Sequence, residues 1–202
     1  MRSIEHKPAA VTGILRYDWQ IECARQAKGV VLNVGCNEDP ARLRARFGSR
    51  IINCDLEAED HHMKRPNHAD LVFNCLDVPW PVAEKSAALV VLGDILEHFT
   101  REAMVDTLAE ARRVAAWVCV TVPEDTRIDE AEQHRVWAKD AYNLHTTVVT
   151  REVLEQALHM AGWSLTRYTA GLWGIGGDWG PEGIKGHCAL ARRGRPRVPV
   201  NF

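Results

Sequence analysis

The 202-residue sequence lacks any run of about 18 apolar residues, so no membrane-spanning helix is expected. Its first residues, MRSIEHKPAA, lack the apolar stretch of a secretory signal, and the expectation is a cytoplasmic protein with no membrane partner. An excess of one charge is lacking too: 25 basic side chains stand against 27 acidic ones, for a net charge of -2. That balance argues against a surface built throughout to grip nucleic acid or anionic lipid. The six cysteines, Cys23, Cys36, Cys54, Cys75, Cys119 and Cys188, form no C-x-x-C pair, and several lie inside apolar runs. Reduced, mostly buried thiols are expected rather than a disulfide framework or a zinc site. No metal ligands are assigned: structural sites show paired spacing, and His61, His62 and His68 stand in a polar loop without such a partner pattern. Internal repeats and linkers are also missing. With 46% apolar and 26% charged residues, neither disorder nor a fibre is expected. One domain spanning residues 1–202 is the expectation, on a prior of roughly 100–200 residues per domain.

What is present is alternation. A helical stretch from about Ile14 to Ala27, within an N-terminal segment 1–28, precedes the apolar run Val30 to Val34. That run is short, partly β-branched and ends at Gly35, which reads as a buried parallel strand. Pro40 to Phe47 reads as a helix with Leu43 and Phe47 on one face, and Ile51 to Cys54 as a second strand ending at Asp55. Leu71 to Phe73 is a weak apolar segment, and Ala87 to Leu92 a strong strand. Thr100 is an acceptable N-cap for a helix to about Val114, with Glu102 in its first turn. Trp117 to Val122 is a strand stopped by Pro123, and Thr150 caps a helix from Arg151 to Ala161 that Gly162 ends. Trp163 to Ala170 and His187 to Ala191 read as the last two strands. The expected fold class is α/β, a doubly wound, mostly parallel sheet closed by a hairpin.

Such sheets bind ligands where the carboxyl ends of their strands converge. The residues there are Gly35-Cys36-Asn37-Glu38-Asp39, then Asp55, Gly93-Asp94, and Pro123-Glu124-Asp125. Gly35 permits a tight strand-to-helix turn and close backbone approach to a ligand, although the fuller G-x-G-x-x-G pattern is missing. Asn37 tolerates a left-handed backbone, which softens that loss. Asp55 follows Gly35 by about twenty residues, the spacing of an acidic group that accepts from ribose hydroxyls. Asp77, in LDVPWP, is either a turn residue or an acceptor for an exocyclic amine, with Leu76 and Val78 packed on a flat base.

Together with VVLGDILEHF, EARRV and NLHTTVVTREVLEQALHMAGW, these sites resemble class I S-adenosylmethionine-dependent methyltransferases, most closely small members carrying L-E-H after the fourth strand. The resemblance runs from about Val30 to Gly162. It implies a Rossmann-like methyltransferase fold with an antiparallel C-terminal strand, and S-adenosylmethionine as cofactor. It also implies that Asn33, Gly35, Cys36 and Asn37 line the methionine half, Asp55 with Leu56 the ribose, Leu76, Asp77 and Val78 the adenine, and that Gly93 approaches the methionine group through its backbone. Two features depart from the family: Asn33 stands at a usually acidic position, and Asn37 and Asp39 where glycines are usual. Asn33 still accepts a hydrogen bond but offers no full charge to the cofactor's ammonium.

For the chemistry, the candidate catalytic residues are Asp94, His98 and His145, with His134 also at the expected rim. His98 and His145 read equally as structural histidines. The acceptor expected is a small molecule or sugar-like compound bearing oxygen or nitrogen. The alternatives are a nucleic-acid methyltransferase, disfavoured by GDIL in place of an N/D-P-P-Y/F tetrapeptide, and a non-catalytic, cofactor-binding relic. Residues 171–186, rich in glycine and carrying Trp173 and Trp179, read as a flap over the acceptor or as a loop packed on the body. Trp80 reads as core or pocket wall, and residues 192–202, with Arg192, Arg193, Arg195 and Arg197, as a solvated basic tail or a phosphate-contacting one.

Overall fold

Apolar β-branched runs too short for helices fix the centre of the molecule. The computed structural model describes residues 15–36, 40–56, 59–60, 65–66, 69–126, 144–173 and 184–194. Asn37, Asp39, His61, His62, His68, His134, Trp179, Arg195 and Arg197 lie outside the described residues. Helix α1 (Leu15–Gln26) leads into β1 (Val31–Val34), α2 (Pro40–Phe47) and β2 (Ile51–Asp55). Then come β3 (Leu71–Val72), β4 (Ala87–Gly93), α3 (Arg101–Val114) and β5 (Ala115–Pro123), and finally α4 (Arg151–Met160), β6 (Trp163–Trp173) and β7 (Ile184–Arg193). A two-residue antiparallel ladder, Glu59–Asp60 on Arg65–Pro66, stands apart from this sheet.

The seven strands run in the order β3-β2-β1-β4-β5-β7-β6. Every pairing from β3 to β5 is parallel, whereas β7 runs antiparallel to both β5 and β6. The expected architecture therefore stands. All four residues of β1 are buried, as a central strand covered on both faces requires. On one face, Leu32, Val34, Val90, Leu92, Val118 and Val120 pack against Met104, Leu108 and Ala111 of α3 and Leu154 and Leu158 of α4. On the other, Val31, Ile51, Leu89, Val91 and Cys119 meet Trp19, Cys23 and Ala24 of α1 and Leu43 of α2. Each fully buried leucine contributes about 1.5–3 kcal/mol relative to exposure, so the two layers fix the parallel core from both sides. All six cysteines are free thiols, five of them buried.

The helix ends are set by the residues expected to set them. Thr100 Oγ1 accepts from the Ala103 amide and Thr150 Oγ1 from the Val153 amide. Gly162, at φ +80°, ends α4, and its amide donates to the His159 carbonyl.

Two expectations need correction, and one open alternative is decided. Residues 171–173 and 184–186 are not flap but the ends of β6 and β7, paired from Gly171 with Gly186 to Trp173 with Ile184. The strand ladder absorbs their backbone groups, which glycine content alone had marked as loop. Arg192 and Arg193 are likewise strand, not tail: Arg193 Nη2 donates to the carbonyls of Arg112, Arg113 and Ala115. It thereby satisfies acceptors that the end of α3 leaves open. Trp80 is core, 2% exposed, with its indole N–H on the Cys75 carbonyl and its ring beside Phe73.

Candidate active site

The parallel half of the sheet delivers its polar residues to one edge. Val34 pairs with Cys54 in register, and the Gly35 amide donates to the Cys54 carbonyl at 2.9 Å, so Gly35 and Asp55 leave adjacent strands side by side. Gly35 adopts φ +69°, and a Cβ there would lie 2.6 Å from Ile95 Cδ1 in the loop after β4. The positive φ favours glycine, and a larger residue would also have to displace the end of the Ile95 side chain. Asp55 Oδ1 accepts from the Leu56 amide at 2.7 Å, while Oδ2 is buried and accepts no hydrogen bond among the described residues. The Cys36 thiol lies against this carboxylate. Burial first, then the charge of Asp55 and a hydrogen bond between the thiol and that carboxylate, push its pKa well up, so the thiol stays protonated at neutral pH.

Next to this corner, the end of β3 and the loop after it leave apolar side chains in water. Val72, Leu76 and Val78 are 53%, 45% and 48% exposed. Asp77 is exposed as well, its amide tied to the Asn74 carbonyl. The loop is anchored from behind. Glu110 Oε1 of α3 accepts from the Trp80 amide at 2.7 Å, and Arg113 donates to the carbonyls of Trp80 and Val82. Burial alone would raise the Glu110 pKa, but the bonds from Arg113 and Trp80 outweigh it and hold the carboxyl below its ordinary range.

The middle of the edge is filled from α1. A Cβ on Gly93 would lie 2.5 Å from Gln20 Nε2, which donates to Thr121 Oγ1 at 2.8 Å. The room beside Gly93 is thus taken by Gln20. Asp94 stands at φ +52°, in the left-handed region rare for residues other than glycine, asparagine and aspartate. Its amide donates to the Thr121 carbonyl, its Oδ2 pairs with Arg16, and its Oδ1 is buried without a hydrogen bond among the described residues. Asn33 is buried, and its amide donates to Asn53 Oδ1 across β1 and β2 at 3.1 Å.

Beyond β4, a single helical turn (Leu96–His98) carries Glu97 and His98, and the segment before α4 folds onto it. The amides of Thr146 and Thr147 donate to the Glu97 carbonyl, and Thr147 Oγ1 donates to the Phe99 carbonyl. This clamp brings His145 to His98, edge to face, with ring centroids 4.9 Å apart. His145 Nδ1 lies 2.9 Å from the buried Asp125 Oδ2, and His98 Nδ1 lies 3.2 Å from the Leu144 carbonyl. One potential ligand atom each from Glu97, His98 and His145 falls within 4.8 Å of the other two. Burial, and then the neighbouring His145, pushes the His98 pKa down to about 4, so its ring is neutral at pH 7.

The structure therefore joins Gly35, Cys36, Asp55 and Leu56 at one corner and His98 with His145 at another, with Asp94 and Gly93 between. Sequence reasoning missed Glu97, Arg16 and Gln20, and placed Asp125 at the edge without linking it to His145. The L-E-H run contained Glu97, but nothing along the chain signalled that Asp125 stands behind His145. Also unanticipated is a chain of close contacts at the hairpin. Tyr168 Oη lies 2.5 Å from His187 Nδ1, and His187 Nε2 lies 2.6 Å from Glu124, which also pairs with Lys185.

No protein-family profile matches the chain. No curated protein matches it either. Solved structures do. A SAM-dependent methyltransferase from Methanosarcina mazei superposes with a TM-score of 0.61 at 13% identity, over 88% of this chain and 98% of that one. Geranyl diphosphate C-methyltransferase from Streptomyces coelicolor gives 0.62 at 11% identity, over 89% and 78%. The small RNA methyltransferase HEN1 gives 0.58 at 16% identity, over 98% of this chain and 28% of that one. At these identities the likeness shows the fold: a Rossmann-like sheet of the class I methyltransferase type.

Proposed function

We propose that the chain is an S-adenosylmethionine-dependent methyltransferase acting on a small-molecule or sugar-like acceptor that bears oxygen or nitrogen. The observation that carries this reading is Asp55 Oδ2, a buried carboxylate oxygen without a hydrogen bond among the described residues, at the strand end where this fold binds ligands. An unmet buried acceptor costs about 1–3 kcal/mol, more when charged. The hydroxyls of a bound ribose would relieve it. Leu76 and Val78, left in water, offer apolar surface for a flat base, and Asp77 between them would accept from its amino group. Leu56 would flank the sugar; Asn33, Gly35, Cys36 and Asn37, with Gly93 through its backbone alone, would line the methionine half.

The bound cofactor supplies a methyl group on a sulfonium, which already has a good leaving group. The chain's task is then alignment, an effect that supplies about 7–11 kcal/mol in well-oriented cases. Asp94, His98 and His145 are the proposed catalytic residues. His98, its pKa lowered to about 4 by burial and then His145, is neutral at pH 7 and a weak base, so it would orient an acceptor by hydrogen bonding or ligation rather than take up its proton.

Calorimetry with S-adenosylhomocysteine tests the reading. Binding is expected, and Asp55→Ala, removing charge-assisted bonds of about 1.5–3 kcal/mol each, is expected to weaken it about 10- to 100-fold. Absence of heat with the unaltered protein overturns the proposal, as does a variant that binds equally well. Turnover confined to RNA or DNA in a screen of acceptor pools would replace the acceptor class.

A further inference from the structure

The cluster of Glu97, His98 and His145 has a construction that acid–base chemistry alone does not need. A lone general base requires one imidazole; here two imidazoles and a carboxylate share one small volume, with His98 Nε2 3.9 Å from Glu97 Oε1. The second contact of each ring fixes its tautomer. His145 Nδ1 faces the Asp125 carboxylate and His98 Nδ1 faces the Leu144 carbonyl, and both acceptors require N–H at Nδ1. With Nδ1 donating, the ring nitrogen that can bind a metal is Nε2. Outward N–H groups held by a carboxylate and a carbonyl are the arrangement found behind metal-ligating histidines, where they set ring orientation and raise ligand basicity. Glu97, 1% exposed, adds a buried carboxyl group, and a cation beside it would favour its ionised form.

We infer that Glu97, His98 and His145 hold a divalent first-row transition-metal ion, with Asp125 positioning His145, and that the ion offers an open coordination position to an oxygen-bearing acceptor. Two imidazole nitrogens and one carboxylate suit zinc, cobalt or iron rather than magnesium or calcium, which favour all-oxygen shells. Ligands about 2.0–2.2 Å from one ion stand roughly 3–3.5 Å apart. The observed spacing, within 4.8 Å, is wider than this, and ligation would draw the three groups together. Three protein ligands leave at least one position open. A hydroxyl bound there loses its proton to solvent more readily, because the ion stabilises the oxygen anion. The metal site stands independently of the methyltransferase reading; the assignment of an oxygen acceptor to it rests on that reading.

The test titrates chelator-treated protein with Co²⁺, followed by visible absorption and calorimetry, with S-adenosylhomocysteine calorimetry on the same samples. Binding of one Co²⁺ per chain with ligand-field bands is expected. The double variant His98→Asn/His145→Asn is expected to lose it at least about 100-fold, and Asp125→Asn to weaken it about 10- to 100-fold while keeping the spectrum. Both variants should retain S-adenosylhomocysteine binding, which also reports that they are folded. Should the double variant fail to fold, electron spin-echo modulation of Cu²⁺ bound to the unaltered protein decides, with two imidazoles expected. A spectrum without imidazole, or Co²⁺ binding unchanged in the double variant, overturns the site. Co²⁺ binding without S-adenosylhomocysteine binding sinks only the methyltransferase reading; the reverse sinks only the metal.

Discussion

Two corners of the same sheet edge, around Asp55 and around His145, differ in how the chain assembles them. At the first, the backbone does the placing. β1 and β2 pair in register, the Gly35 amide meets the Cys54 carbonyl, and whatever follows each strand arrives beside its neighbour. At the second, side chains do it. Glu97 and His98 sit on a turn after β4, Asp125 follows β5, and His145 arrives by a segment clamped to the Glu97 carbonyl, with Leu144 46 residues from His98 in sequence. A site placed by strand register can be counted along the sequence. A site placed by tertiary hydrogen bonds cannot.

The sharpest way to break this comparison is a crossed binding experiment. Asp55→Ala is expected to lower S-adenosylhomocysteine affinity about 10- to 100-fold and to leave Co²⁺ binding unchanged. His98→Asn with His145→Asn should do the opposite. Mutations more than about 7–10 Å apart without shared partners act independently, so the double dissociation is the expected pattern. If each substitution impaired both ligands, the two corners would be one cooperative unit, and the distinction between them would fail.

The same contrast explains what could be read without coordinates. The mostly parallel, doubly wound sheet was legible because β1, β4 and β5 are short apolar runs that alternate with helical segments, the pattern of a parallel sheet covered on both faces. Asp55 and Gly35 were legible because register converts spacing into proximity. The hairpin was misjudged at its ends, since glycines at 171 and 186 pair across β6 and β7 as readily as they form loops. Arg193 was misjudged because its role depends on the carbonyls of α3, which no feature of its own neighbourhood announces. His98 and His145 were found as residues and not as a pair, and Glu97 was passed over inside L-E-H because carboxylate burial is invisible in a sequence.

Between the corners in expected effect stands the anchor of the loop after β3. Glu110 holds the Trp80 amide and Arg113, and so fixes the loop that carries Leu76, Asp77 and Val78. Glu110→Ala is expected to cost about 2 kcal/mol in denaturant unfolding, the scale of hydrogen bonds to a charged group. It should weaken S-adenosylhomocysteine before it affects Co²⁺. The pH dependence carries a sign. The folded-state pKa of Glu110 lies below its ordinary value of 4.5, because Arg113 and Trp80 outweigh burial. Its contribution is complete above that ordinary value and is lost as pH falls through the folded one. Unfolding midpoints of the unaltered protein should therefore drop on acidification below the ordinary value more steeply than those of Glu110→Ala. Parallel curves would show that the loop is held by packing alone.

The smallest effect expected is at the helix caps, and it sharpens the comparison most locally. Thr100 caps α3 two residues after His98, and Thr150 caps α4 five residues after His145, so each cap lies close along the chain to one imidazole. Thr100→Ala and Thr150→Ala each remove a side-chain acceptor from an otherwise open amide, at about 1 kcal/mol of stability. If tertiary hydrogen bonds hold the two rings in register, the caps set how firmly that register is kept. Each substitution should then lower Co²⁺ affinity severalfold while S-adenosylhomocysteine affinity stays constant within error. Retained Co²⁺ affinity alongside the lost stability would mean that the clamp of Thr146 and Thr147 on the Glu97 carbonyl suffices to position the rings without the helices behind them.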